Sequence, residues 1–73
     1  MKTKYLKKWA KHLIEMANKC DNPIIKAFIL GKADTVGLNY LERKDNDEDF
    51  RNLLLENVNS YYNEWYKMLD KYL

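Results

Sequence analysis

Between Leu54 and Tyr72 apolar residues recur at intervals of four, three, four, three and four: Leu54, Val58, Tyr61, Trp65, Met68 and Tyr72. That spacing closes on one face of an α-helix and on neither face of a strand. Phe50, Leu55, Tyr62, Tyr66, Leu69 and Leu73 widen the stripe to about 160°, against about 100° for an ordinary surface helix. The pattern predicts one long helix over 47–72. Asn46 or Asp47 is placed to cap it, and Asp47, Glu48 and Asp49 put negative charge where the helix dipole favours it.

Residues 3–20 read as another helix, capped by Thr3. Leu6, Ala10, Leu13, Ala17 and Cys20 keep the same spacing, and Tyr5, Trp9, Ile14 and Met16 extend the apolar face to about half the circumference. Asp21-Asn22-Pro23 is a stop followed by a start, with Asn22 as N-cap and Pro23 in the first helical position. Ile24, Ile25, Phe28 and Ile29 then form a compact apolar face, and Gly31 suits a left-handed C-terminal stop to a short second helix. Within 32–44, Asp34 or Thr35 is placed to cap a short helical segment carrying Leu38, Tyr40 and Leu41, with a loop of one helical turn as the alternative. The expectation is an all-α fold. One domain over 1–73 holds three main helices plus a short extra helical segment, the first and last helices forming the main seam.

Composition supports this by exclusion. Two Gly and one Pro in 73 residues are too few for the turns of a β-sandwich or barrel, and one Cys rules out an intrachain disulfide framework. No apolar run approaches the roughly 20 residues that span a bilayer. The N-terminal lysines have no continuous apolar stretch behind them, so no signal peptide is expected. An intracellular, cytoplasmic protein is the corresponding expectation.

Charge is polarised along the chain. Residues 1–20 carry six lysines against Glu15, a net of +5, whereas residues 45–73 carry seven acids against Arg51, Lys67 and Lys71, a net of −4. Such a chain either pairs its two ends or shows different signs to different partners. Short connections between an odd number of helices would set the first and last parallel and bring the acids beside the lysines. An even number would set them antiparallel, with the lysines near Lys67, Asp70 and Lys71 and still available, so the outcome turns on 32–44.

Four constellations invite a functional reading. Asp45, Asp47, Asp49 and Glu56 match the carboxylate positions of a twelve-residue calcium loop at 45–56, but Phe50 stands where that loop needs Gly. An acid-rich helix start explains the same residues without a metal. Lys4, Lys7, Lys8 and Lys11, flanked by Lys19, form a basic face that can meet phosphates. No Arg lies there to read base edges, so nucleic-acid contact would be non-specific. Ala27 and Gly31 have the separation found in a helix-turn-helix, yet Lys26, Lys32 and Gly37 occupy positions that motif keeps apolar. The fourth is the aromatic edge of the last helix. Three helices cannot easily bury a stripe so wide, so Tyr62, Tyr66, Leu55, Leu73 and Trp65 are the candidate contacts to another chain.

Catalysis finds little support. His12 stands alone beside Lys8, Cys20 suits a packed seam, and about 12 Å of helix separates the two. No phosphate loop, metal cluster or catalytic carboxylate pair is present in the sequence. The expectation is a non-enzymatic protein–protein interaction module with no cofactor, no metal, no membrane partner and no small-molecule substrate. Its partner is another protein or itself, a homodimer being favoured because so short a chain gains little from one core. Nucleic-acid binding through the lysine face is the alternative, and the calcium loop a weaker one. Lys, Asn, Tyr and Ile, whose codons are A/T-rich, supply 29 of the residues. That bias suits a phage or low-GC genome, and a phage-type accessory protein that inhibits or redirects a host machine is one instance of such a module.

Overall fold

The computed structural model describes residues 2–72, with side chains through residue 71. Its order is α1 (Thr3–Lys19), α2 (Pro23–Arg43) and α3 (Glu48–Tyr72), joined by short connections. The all-α bundle read from the sequence is the one observed. The extra segment is not separate, because 32–43 continues α2 as one 21-residue helix.

The glycines explain the difference. Neither has a positive φ, so Gly31 is not a left-handed stop. Each instead lies where α3 crosses α2. A Cβ at Gly37 would stand 2.8 Å from a Leu54 methyl, and one at Gly31 would stand 3.4 Å from the Tyr61 hydroxyl. A Gly inside a helix costs roughly 0.8–1 kcal/mol against Ala, and at Gly37 that cost is offset by close helix packing.

Asn22 caps α2 as read. Its Oδ1 accepts from the backbone N–H of Ile24 at 3.0 Å and of Ile25 at 3.2 Å, ahead of Pro23 in the first turn. Asp47 caps α3, accepting from the Phe50 N–H at 3.2 Å. The expected Thr3 cap is not formed. Thr3 is already helical, Lys2 holds the cap position, and no side chain accepts from the first turn of α1.

The central helix is α2, which packs along both neighbours. The expected main seam between the first and last helices is corrected accordingly. A 21-residue α2 with buried Ala27, Leu30, Ala33, Val36, Gly37 and Tyr40 has enough length and two packing flanks to lie between them. Leu6, Ala10 and Ile14 of α1 meet Ala33, Val36 and Tyr40 of α2 and Phe50, Leu54 and Val58 of α3 in one core. Phe50 is 2% exposed and stands edge-on to Tyr40, ring centres 4.9 Å apart.

Up-down-up topology sets α1 and α3 parallel, and opposite charges meet at their shared end. Lys7 Nζ lies 2.7 Å from Asp47 Oδ2, the Tyr40 hydroxyl donates to the same oxygen, and the Lys7 ammonium sits 5.8 Å from the Tyr40 ring centre. A residue of α1, a residue of α2 and the N-cap of α3 thus close this end of the bundle.

Candidate functional site

The other end is open. Tyr40 pairs with Phe50, Gly37 faces Leu54 and Gly31 faces Tyr61, so α2 and α3 run antiparallel in a steady register. At Gly37 the contact is with buried Leu54. At Gly31 it is only with the far end of the Tyr61 ring. Ile14 and Val58 are the last residues of their helices in the shared core. Beyond them α3 leans on α2 alone. Its 25 residues against the 17 of α1 make it about 12 Å longer.

An apolar groove of about 540 Å³ follows between α2 and α3. Ile24, Ala27, Phe28, Gly31, Lys32 and Thr35 form one wall, recurring at three- and four-residue steps on a single face of α2. Tyr61, Trp65 and Met68 form the other. Phe28 stands 76% exposed and Trp65 44% exposed. The Tyr61 and Trp65 rings stack at 6.5 Å, and Tyr62 meets Tyr61 at 5.1 Å.

The groove has little polar chemistry. Thr35 donates its hydroxyl to the Gly31 carbonyl at 3.2 Å, and the Lys32 ammonium lies 5.5 Å from the Trp9 ring centre. Among the described residues no carboxylate, histidine or cysteine lines it. It presents mostly apolar surface, with the Lys32 ammonium and the Thr35 and Tyr61 hydroxyls as its polar groups.

The residues expected to bind a partner divide into two groups. Trp65 lines the groove. Tyr62, Tyr66 and Leu55 are exposed on the outer flank of α3, Tyr66 at 63%, with Tyr62 joined to the groove through the Tyr61 ring. Leu73 lies outside the described residues. The sequence reading missed the α2 side. It grouped Ile24, Ile25, Phe28 and Ile29 as a compact apolar face without naming it as a binding surface, and Ile24, Ile25 and Phe28 are exposed while Ile29 is half-buried. The overlooked signal is the row Ile24, Phe28, Gly31 and Thr35 on one helix face, visible only when 23–43 is read as one helix.

The lysine face is partly used internally. Lys4, Lys8, Lys11 and Lys19 are exposed, whereas Lys7, central among the first four, is bound to Asp47. Its proton is held above the ordinary lysine range by that hydrogen bond, against desolvation. Asp47 is correspondingly lowered to about 2, first by the hydrogen bond from Lys7 and then by those from Tyr40 and the Phe50 backbone. Residues 48–56 are helical and Phe50 is core, so no twelve-residue loop exists to wrap a cation. Among the described residues no three His, Cys, Asp or Glu side chains gather to hold a metal. His12 is exposed, and Cys20 sits at the end of α1, its thiol 3.6 Å from the Asn22 carbonyl. Among the described residues no helix is long and apolar enough to cross a membrane.

Comparison with protein families, with curated proteins and with solved structures finds no match to this chain.

Proposed function

We propose that this protein is a non-enzymatic protein–protein interaction module whose binding face is the α2–α3 groove and the aromatic flank beside it. The observation that carries this reading is the exposed apolar surface. Ile24, Phe28, Trp65, Tyr62 and Tyr66 are each at least 44% exposed around one groove. Taking roughly 150–250 Å² for a whole large side chain, these residues leave on the order of 550 Å² exposed. That is at the upper end of the roughly 300–600 Å² of the largest apolar patch on a typical monomer, and such patches are often functional. Trp and Tyr are also the side chains that dominate binding energy at interfaces.

The lysine-face alternative is weaker, because Lys7 already has a carboxylate partner within the fold.

A photo-crosslinking amino acid at position 62, compared with one at position 8, tests the choice. The module reading expects a polypeptide adduct from position 62 and none from position 8. Any captured chain, once purified, should lose at least about tenfold affinity for Phe28→Glu and none for Lys8→Glu. Adducts to nucleic acid from position 8, with binding that falls steeply in salt, would carry the alternative instead.

A further inference from the structure

We propose that the groove is one half of an isologous interface. Two copies of this chain pair about a twofold axis, each seating its Phe28 ring in the groove of the other. The inference rests on reading this surface as a protein-binding face and names the occupant.

A twofold interface requires one patch to complement itself. This patch carries both a knob and a hole. Phe28 projects from the α2 wall with three-quarters of its surface in water, and the groove beside it holds about 540 Å³ between Ile24, Trp65 and Met68, ample for a phenyl ring. Area agrees. The exposed apolar surface, on the order of 550 Å² per copy, gives two copies together slightly more than the roughly 1,000 Å² that a specific interface must clear.

Charge disfavours a strongly charged partner. Among the described residues Lys32 is the one charged side chain lining the groove, and its ammonium is turned toward the Trp9 ring. An acidic peptide or a phosphate backbone would find one cation there, already facing an indole. A second copy brings the same apolar wall and the same single lysine. Size supplies the remaining argument: a 73-residue chain gains only a few kcal/mol from one core, and pairing adds buried surface that it lacks.

Sedimentation equilibrium of the full chain from about 1 to about 500 μM tests the proposal. Wild type should approach twice 8.8 kDa. Phe28→Glu should remain at the monomer mass with unchanged helical circular dichroism, its dimer dissociation constant raised at least about thirtyfold. Ile24→Glu, on the same rim, repeats the test at a second position, and Lys8→Glu should pair as wild type does. A wild-type monomer at the highest concentration overturns the proposal, as does a dimer indifferent to both rim changes. The dye ANS then separates the two readings. Dye fluorescence enhanced by a wild-type monomer and lost in Trp65→Ala leaves the groove as a binding face for a different chain. No enhancement removes the binding face itself.

Discussion

Two phenylalanines show how differently one residue type is used in this chain. Phe50 is in the core against Tyr40, and Phe28 is in water. Phe50→Ala should cost about 3–5 kcal/mol in urea unfolding, whereas Phe28→Glu should leave the stability of the monomer within about 0.5 kcal/mol. The glycines separate in the same way. Gly31→Ala gains helix propensity at ordinary contact distance and should stabilise by up to about 1 kcal/mol. Gly37→Ala drives a methyl into buried Leu54 and should destabilise by about 1 kcal/mol net, overpacking exceeding the propensity gain. Equal effects of the two changes would contradict this packing. Asp47 sets the acid limit. Its folded pKa of about 2 lies below the ordinary carboxylate value near 3.9, so the stability it adds is complete above pH 4 and fades as pH falls toward 2. In Asp47→Asn that decline should flatten, as read from urea midpoints across the range. Lys7 and Tyr40 are both raised, so what they contribute is complete below their ordinary values and fades at alkaline pH beyond the raised ones. Of these side-chain fates only the capping role of Asp47 was readable in the sequence, as one of two candidates. A helical pattern tells which face is apolar, but burial depends on whether a neighbour reaches that turn.

At the scale of the helix, the ends that local chemistry determines were legible. Asn22-Pro23 starts α2 and Asp47 starts α3, because a side-chain acceptor within three residues needs no tertiary information. The end of the second helix was not, because Gly31 stops a helix or lets one pass close by according to what packs on it. Thr3 failed as a cap for a related reason: the helix begins one residue earlier, with Lys2 in the cap position. Restoring an acceptor there should help. Lys2→Asp supplies both a cap and a negative charge at the positive end of the dipole, and should raise stability by about 1 kcal/mol. For a domain this small that corresponds to about 4–8 °C in thermal midpoint. An unchanged or lower midpoint would show that the first turn of α1 has no need of a cap.

At the scale of the whole molecule, charge polarity left two arrangements open, lysines beside the acids for an odd number of helices or left available for an even one. Three helices select the first, and Lys7 with Asp47 realises it. The aromatic excess of the last helix likewise announced more apolar surface than three helices cover. Which helix lies in the middle was hidden, because that follows from the unbroken length of α2 and not from the strength of its neighbours' stripes. With α2 central, the core shared by all three helices ends at Ile14 and Val58, and the second half of α3 opens the groove against Ile24 and Phe28. The groove is therefore a product of topology, assembled from residues 24–35 and 61–68, which are distant in sequence. Trp65 reports on it directly. With Trp9 changed to Phe, Trp65 is the one remaining tryptophan, and its emission can be followed as protein concentration rises from about 1 to about 500 μM. If a second copy covers the groove, the emission moves to shorter wavelength along one binding curve, and Phe28→Glu abolishes the shift. Emission that stays at the position of a half-exposed indole throughout would contradict the account.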